Sequence, residues 1–262
     1  MGIKGRFPSK APWVTTLLFD LDGTLVDMDR ARLELRLILR AAWRFSKAIR
    51  PWHFRKAFWG AAEKMQDHGT EETNYSVFLS ALSQYSARTA SELDGIVREC
   101  LAKDFARLSY LFTPVPGARE TLDLARKLGY RVVLATNPVW PLVGVEMRLK
   151  WGGLGDFPFD YVTHSEIMTR CKPHAAYYSD LLARLQVTPR ECVMIGNDPR
   201  KDLPAHDVGI MTFLVERAGQ EELMSQAALD PRQGGRGSFE DFREFIRRSK
   251  EEPWEQSQSS SV

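Results

Sequence analysis

The stretch Thr16-Leu17-Leu18-Phe19-Asp20-Leu21-Asp22-Gly23-Thr24-Leu25-Val26-Asp27 constrains this chain more than any other. A short, continuous apolar run is the pattern of a parallel strand buried on both faces, and Gly23 lets the chain turn sharply just beyond its C-terminal end. Asp20 and Asp22 therefore stand where open α/β sheets place their ligands. Residues two apart share a face of an extended segment, so the two carboxylates repel unless a cation or a reaction uses them.

The rest of the chain repeats this arrangement. Arg131 to Ala135 is a second β-rich run that delivers Thr136 and Asn137 before Pro138, and a hydroxyl with an exposed N–H at a strand end can hold phosphate oxygens. Phe159 to Val162 is a shorter strand, followed by Cys171-Lys172-Pro173 and a helix over about Ala175 to Leu185. Cys192 to Ile195 is a further buried strand that ends in Gly196-Asn197-Asp198-Pro199-Arg200-Lys201-Asp202. Asp198 and Asp202, four apart at a helix start, can offer hard oxygen ligands suited to Mg²⁺. Met211 to Val215 reads as a fifth strand. The Gly/Arg-rich segment Arg232 to Ser238 precedes a helix bearing Phe239, Phe242, Phe245 and Ile246, with Ser238 as its cap. Gln256 to Ser261 reads as disordered.

Between Asp29 and about Leu108 the pattern is helical and no strand is convincing. Leu35, Ile38, Leu39, Ala42, Phe45 and Ile49 recur at helical spacing, and Thr89 with Glu92 fits a capping box. Arg32, Arg36, Arg40 and Arg44 fall four apart as a basic stripe, read as a solvated face that could also meet an anionic or protein partner. Trp52, Phe54, Phe58 and Trp59 interleave with His53, Arg55 and Lys56; packing is the plain reading, a pocket, partner or membrane-surface contact the alternative. His53 and His68 have no partners at metal-ligand spacing. Cys171 has no activating neighbour and reads as structural.

Composition excludes little else. At 262 residues the chain can bury a real core, and a net charge of +2 with 44% apolar residues gives no global field that calls for nucleic acid. Three cysteines without C-x-x-C spacing disfavour a disulfide framework and favour a reducing compartment. No run of about 18 apolar residues offers a membrane span, and the polar, basic stretch from Met1 to Lys10 is no secretory signal, so the expected location is the cytoplasm.

The four segments, in this order from Asp20 to Asp202, resemble the motifs of the haloacid dehalogenase superfamily: D-x-D-G-T, a Thr at a strand end, Lys-Pro before a helix, and G-N-D-x-x-x-D. The helical insertion after the first motif resembles the C1 cap of the phosphoglycolate phosphatase-like group. The resemblance implies an α/β fold, a Rossmann-like doubly wound parallel sheet with an inserted α-helical cap. The core would span 13–27 and 113–250, the cap 28–112, with flexible termini at 1–12 and 251–262. It also implies a Mg²⁺-dependent phosphatase acting on a small-molecule phosphate monoester. Asp20 would be the nucleophile and Asp22 the general acid/base, with both aspartates present as in phosphatases rather than dehalogenases. Thr136, Asn137 and Lys172 would hold the phosphoryl group. The metal ligands would be Asp20, Asp22 through its carbonyl, Asp198 and Asp202. The fourth motif departs from many members by placing Asn197 directly after the glycine; charge favours Asp198 as the nearer metal contact. A phosphomutase of the same superfamily and a partner-binding protein using the cap surface are the alternatives.

Overall fold

The computed structural model describes residues 7–217 and 234–251. The expected disorder at Gln256 to Ser261 lies outside them, as does most of the C-terminal segment 251–262. The central sheet has six strands in the order β5-β4-β1-β6-β7-β8: β1 (Thr16–Phe19), β4 (Arg131–Leu134), β5 (Tyr161–Val162), β6 (Cys192–Gly196), β7 (Met211–Val215) and β8 (Gly234–Gly237). Every pairing is parallel. The apolar runs sort by alternation onto two faces. Leu17, Phe19, Val132, Leu134, Val193 and Ile195 enter one core cluster, and Leu18, Val133, Ala135, Cys192 and Met194 enter another. Helices α5 (Ala118–Lys127) and α9 (Phe239–Glu251) pack together beside the first cluster, to which α6 (Leu142–Trp151) adds Val145 and Leu149; α7 (Ala175–Leu185) covers the second. This is the α/β, Rossmann-like arrangement read from the sequence. Strand β1 pairs with β4 on one side and β6 on the other, so the strand order reverses beside it.

Four α-helices lie between Met28 and Phe112: α1 (Arg30–Arg44), α2 (Pro51–Gln66), α3 (Asn74–Ser83) and α4 (Ala90–Lys103). They surround a cluster of their own that includes Ala41, Phe45, Phe54, Phe78, Leu82 and Leu93. Thr89 and Glu92 form the expected capping box at the start of α4. This block is entered and left through a two-stranded antiparallel ribbon missed in the sequence, β2 (Val26–Met28) against β3 (Phe112–Pro114), in which Asp27 lies opposite Thr113. Three-residue strands with one proline leave too short a period to read.

Several local readings change. On α1 the inward residues are Leu33 and Ala41, joined by Phe45 just past its end, with Leu37 and Ile38 partly covered, whereas Leu35 and Leu39 are exposed. The helix carries enough apolar residues to satisfy two rotational registers, and the small Ala41 permits the closer packing. The arginine stripe is not one solvated face: Arg44 turns inward to Asp104 at 2.5 Å and Glu99 at 2.9 Å, while Arg36 lies over Tyr110. Phe54 is buried and Phe58 partly so, but Trp52 is 72% exposed and Trp59 47%. Residues 7–12 are not a loose lead-in. Phe7 packs edge-on against Phe213 and Phe245, and the buried Ala11 N–H donates to Ser249 Oγ at 2.9 Å. Strand β8 was hidden because glycines lack β-propensity. Gly235 admits the Phe7 ring, since a Cβ there would meet Phe7 Cβ at 2.5 Å.

Candidate active site

The C-terminal ends of the neighbouring strands β4, β1 and β6 bring the sequence-predicted residues to one place. Asp20 follows β1 directly and its N–H donates to Ile195 O at 2.8 Å. Gly23 turns with φ +90°, and a side chain there would strike Asn197, whose Nδ2 lies 2.5 Å from the Cβ position. Arg217 fastens the same turn, donating to Gly23 O at 2.8 Å and to Asp27 Oδ2 at 2.5 Å. Its hydrogen bond holds the Asp27 carboxyl below the ordinary aspartate range despite partial burial.

Lys172 is the electrostatic centre. Its side chain is buried, and its Nζ donates to Asp20 Oδ1 at 3.0 Å and Asp202 Oδ1 at 2.7 Å. Burial alone would lower the ammonium pKa, but Asp20 and Asp202 outweigh it and hold it well above the lysine range. Burial pushes the Asp202 carboxyl up to about 6, against the pull of Lys172 and with the help of Asp20. Asp202 fits only because residue 196 is glycine, where a Cβ would lie 2.0 Å from Asp202 Oδ2.

Asn137 acts on the lysine loop: its Oδ1 accepts from the Lys172 backbone N–H at 3.1 Å. Thr136 is buried at the end of β4, its carbonyl accepting from Thr163 Oγ1 at 2.8 Å and Tyr177 OH at 3.0 Å. Cys171 is buried, burial pushes its thiol up to about 12, and its Sγ accepts from Asn74, in keeping with an inert role.

Of the four acids read as metal ligands, Asp20 and Asp202 meet at Lys172, while Asp22 turns its side chain to Arg148. Among the described residues no three His, Cys, Asp or Glu side chains form a metal-holding group. Asp202 is engaged by Lys172 and by the Asp198 N–H at 3.1 Å, and Asp198 caps α8 (Pro199–Asp202) by accepting from Arg200 N. Asn197 lies against the turn of the first motif. It is buried, and its Oδ1 accepts from Thr24 Oγ1 at 3.0 Å, while Asp20 Oδ2 lies 3.5 Å from the same hydroxyl. Two hard oxygens thus gather at one point beside the main-chain turn of the first motif, a donor set that fits Mg²⁺. The charge argument for Asp198 meets a competing use of that side chain as the cap of α8.

Asp22 is paired with Arg148 of α6, a contact the sequence did not announce. An arginine in a short helix that also carries Glu146 and Lys150 normally reads as surface, and nothing in the spacing of residues 142–151 marks this one as buried. The asparagine did carry a signal, its place directly after Gly196.

A family model described as haloacid dehalogenase-like hydrolase matches residues 14–206. The chain belongs to the haloacid dehalogenase-like hydrolases. A glyceraldehyde 3-phosphate phosphatase of Pyrococcus abyssi is 28% identical over 221 residues, spanning 76% of this chain and 80% of its own. A pyrophosphatase of Bacillus velezensis is 26% identical, spanning 76% and 82%. The crystal structure of a phosphatase of the same superfamily from Thermococcus onnurineus shares the fold with a TM-score of 0.51 at 23% identity, covering 79% of this chain and 88% of that one. No described helix is long and apolar enough to cross a membrane.

Proposed function

We propose that this hydrolase is a Mg²⁺-dependent phosphatase of a small phosphorylated molecule, working through an aspartyl-phosphate on Asp20. The observation that carries the reading is the Asp20–Lys172–Asp202 group at the strand ends. A carboxylate that must approach a phosphoryl dianion needs a fixed positive charge beside it, and Lys172 is held there by two anions. The relatives named as phosphatases of phosphorylated small molecules support the same class of substrate.

The metal would be held by the Asp20 carboxylate, the Asn197 amide oxygen and the Asp22 carbonyl. When bound there it would offset the negative charge shared by Asp20 and the phosphoryl group. Asp20 attacks phosphorus in line and the bond from phosphorus to the ester oxygen breaks as Asp22, in its acid form, gives that oxygen a proton. Water then attacks the acyl phosphate, Asp22 takes its proton, and inorganic phosphate leaves with Asp20 restored. Lys172, Thr136 and the Asn137 segment contact the phosphoryl oxygens. The helical block covers the strand ends and limits access of bulk water.

A panel of phosphate monoesters assayed for inorganic phosphate tests this. Release with Mg²⁺ that stops in excess EDTA and in Asp20→Asn is expected. Turnover surviving either change would overturn the mechanism, and exchange of the phosphoryl position without phosphate release would indicate a mutase instead.

A further inference from the structure

Arg148 has no place in the scheme above, yet it is among the largest fully buried side chains, with 1% exposure. Enclosing a guanidinium is costly unless strong partners meet it. Here Nη1 donates to Asp22 Oδ2, Nε donates to Gly144 O at 3.1 Å, and the guanidinium lies 5.2 Å from the Trp140 ring centre. Trp140 is stacked in turn on Phe105, at 4.7 Å between centroids. The arginine is therefore gripped along its own helix and across its face before it reaches the carboxylate.

The pair itself is single-stranded. Arginine and a carboxylate gain most from two parallel hydrogen bonds. Instead Asp22 Oδ1 and Arg148 Nη2 are both enclosed and have no hydrogen-bond partner among the described residues. An unpaired buried polar atom is costly, so a contact built only for stability would close the fork. Held through Oδ2 alone, Asp22 has a fixed orientation and one uncommitted oxygen.

We propose that Arg148 is the positioning residue for proton transfer by Asp22. It fixes the carboxylate through Oδ2 and leaves Oδ1 to carry the proton. In the first half-reaction the Oδ1–H bond breaks and its proton goes to the departing ester oxygen; in the second, Oδ1 takes a proton from the attacking water. No other donor or acceptor is needed. The inference rests on the phosphatase reading.

The test uses full-length protein with Mg²⁺ and two esters, glyceraldehyde 3-phosphate and 4-nitrophenyl phosphate. The second expels a stable phenolate and needs little protonation. For Arg148→Met, kcat on glyceraldehyde 3-phosphate should fall by about 100-fold or more, the range a placed acid/base supplies, with KM changed by less than about 3-fold. Phosphoryl-enzyme formation from 4-nitrophenyl phosphate in a single turnover should fall by less than about 10-fold. Arg148→Lys should recover part of the loss. Asp22→Asn with Arg148→Met should be no slower than Asp22→Asn alone, because a residue that acts through Asp22 has nothing further to lose. Should Arg148→Met be unfolded by circular dichroism, Arg148→Lys with and without Asp22→Asn carries the same comparison. Equal losses on both esters, or losses that multiply in the double variant, would overturn the proposal. Wild-type inactivity across the phosphate-monoester panel would overturn the phosphatase reading and this proposal with it.

Discussion

At Lys172 one ammonium serves two buried carboxylates, at 3.0 Å to Asp20 and 2.7 Å to Asp202. The attraction is mutual, and its removal is asymmetric: Lys172→Met would leave two anions facing each other with little water. Breaking a buried pair in this way costs about 3–5 kcal/mol. A lowered urea midpoint is expected in Lys172→Met, with part of the loss recovered on adding Asp202→Asn. His164 sets a second residue-scale prediction. Burial holds its imidazole below the ordinary histidine value of 6.5, against the opposing pull of Glu166. The folded state then binds a proton less readily than the unfolded chain, so the stability from neutral His164 is present above 6.5 and lost as the pH falls through that window. Unfolding midpoints measured from pH 8 to 5 should decline more steeply in wild type than in His164→Gln.

Helix α3 meets the catalytic core through its first residue. Asn74 is fully buried and its Nδ2 lies 3.2 Å from Pro138 O, Arg170 O and Cys171 Sγ. Its backbone N–H donates to Met168 O at 2.8 Å and its Oδ1 faces His68 Nε2 at 2.9 Å. One amide thus ties the helical block to the loops that carry Asn137 and Lys172. Asn74→Ala should cost about 1–3 kcal/mol, because carbonyls buried around the amide lose their donor. Hydrogen exchange should quicken at residues 163–172 in that variant while the amides of β1 and β6 stay protected. Uniform exchange across the chain would show that the contact is not a local fastening.

Across the whole molecule, the N-terminal segment closes the far side of the sheet. Phe7 touches Phe213 of β7 and Phe245 of α9, with centroids at 5.4 and 4.6 Å. Phe7→Ala should lower stability by about 2 kcal/mol, the value of one largely buried aromatic side chain. Phosphate release should persist at a temperature where the variant is still folded, because Phe7 packs away from Lys172 and Asp20. A loss of activity without loss of folded signal would place the segment in the site instead.

Short-range chemistry made much of this protein legible in its sequence. The apolar runs ending at Asp20, Thr136 and Ile195 place three strand ends, Gly23 and Gly196 mark where backbone and carboxylate must approach, and Thr89 announces a helix. The order of the motifs predicted the fold class and family. What the sequence left undecided depends on contacts between distant segments. The spacing of residues 142–151 gives no sign that Arg148 is buried, because its partner Asp22 lies 126 positions away. That Asn197 turns to Thr24 while Asp198 caps α8 was settled by the fold, and the fate of Phe7 turned on a glycine strand far along the chain. Local propensity is written in neighbouring residues, whereas the desolvation and pairing of a charge depend on what the completed fold packs against it.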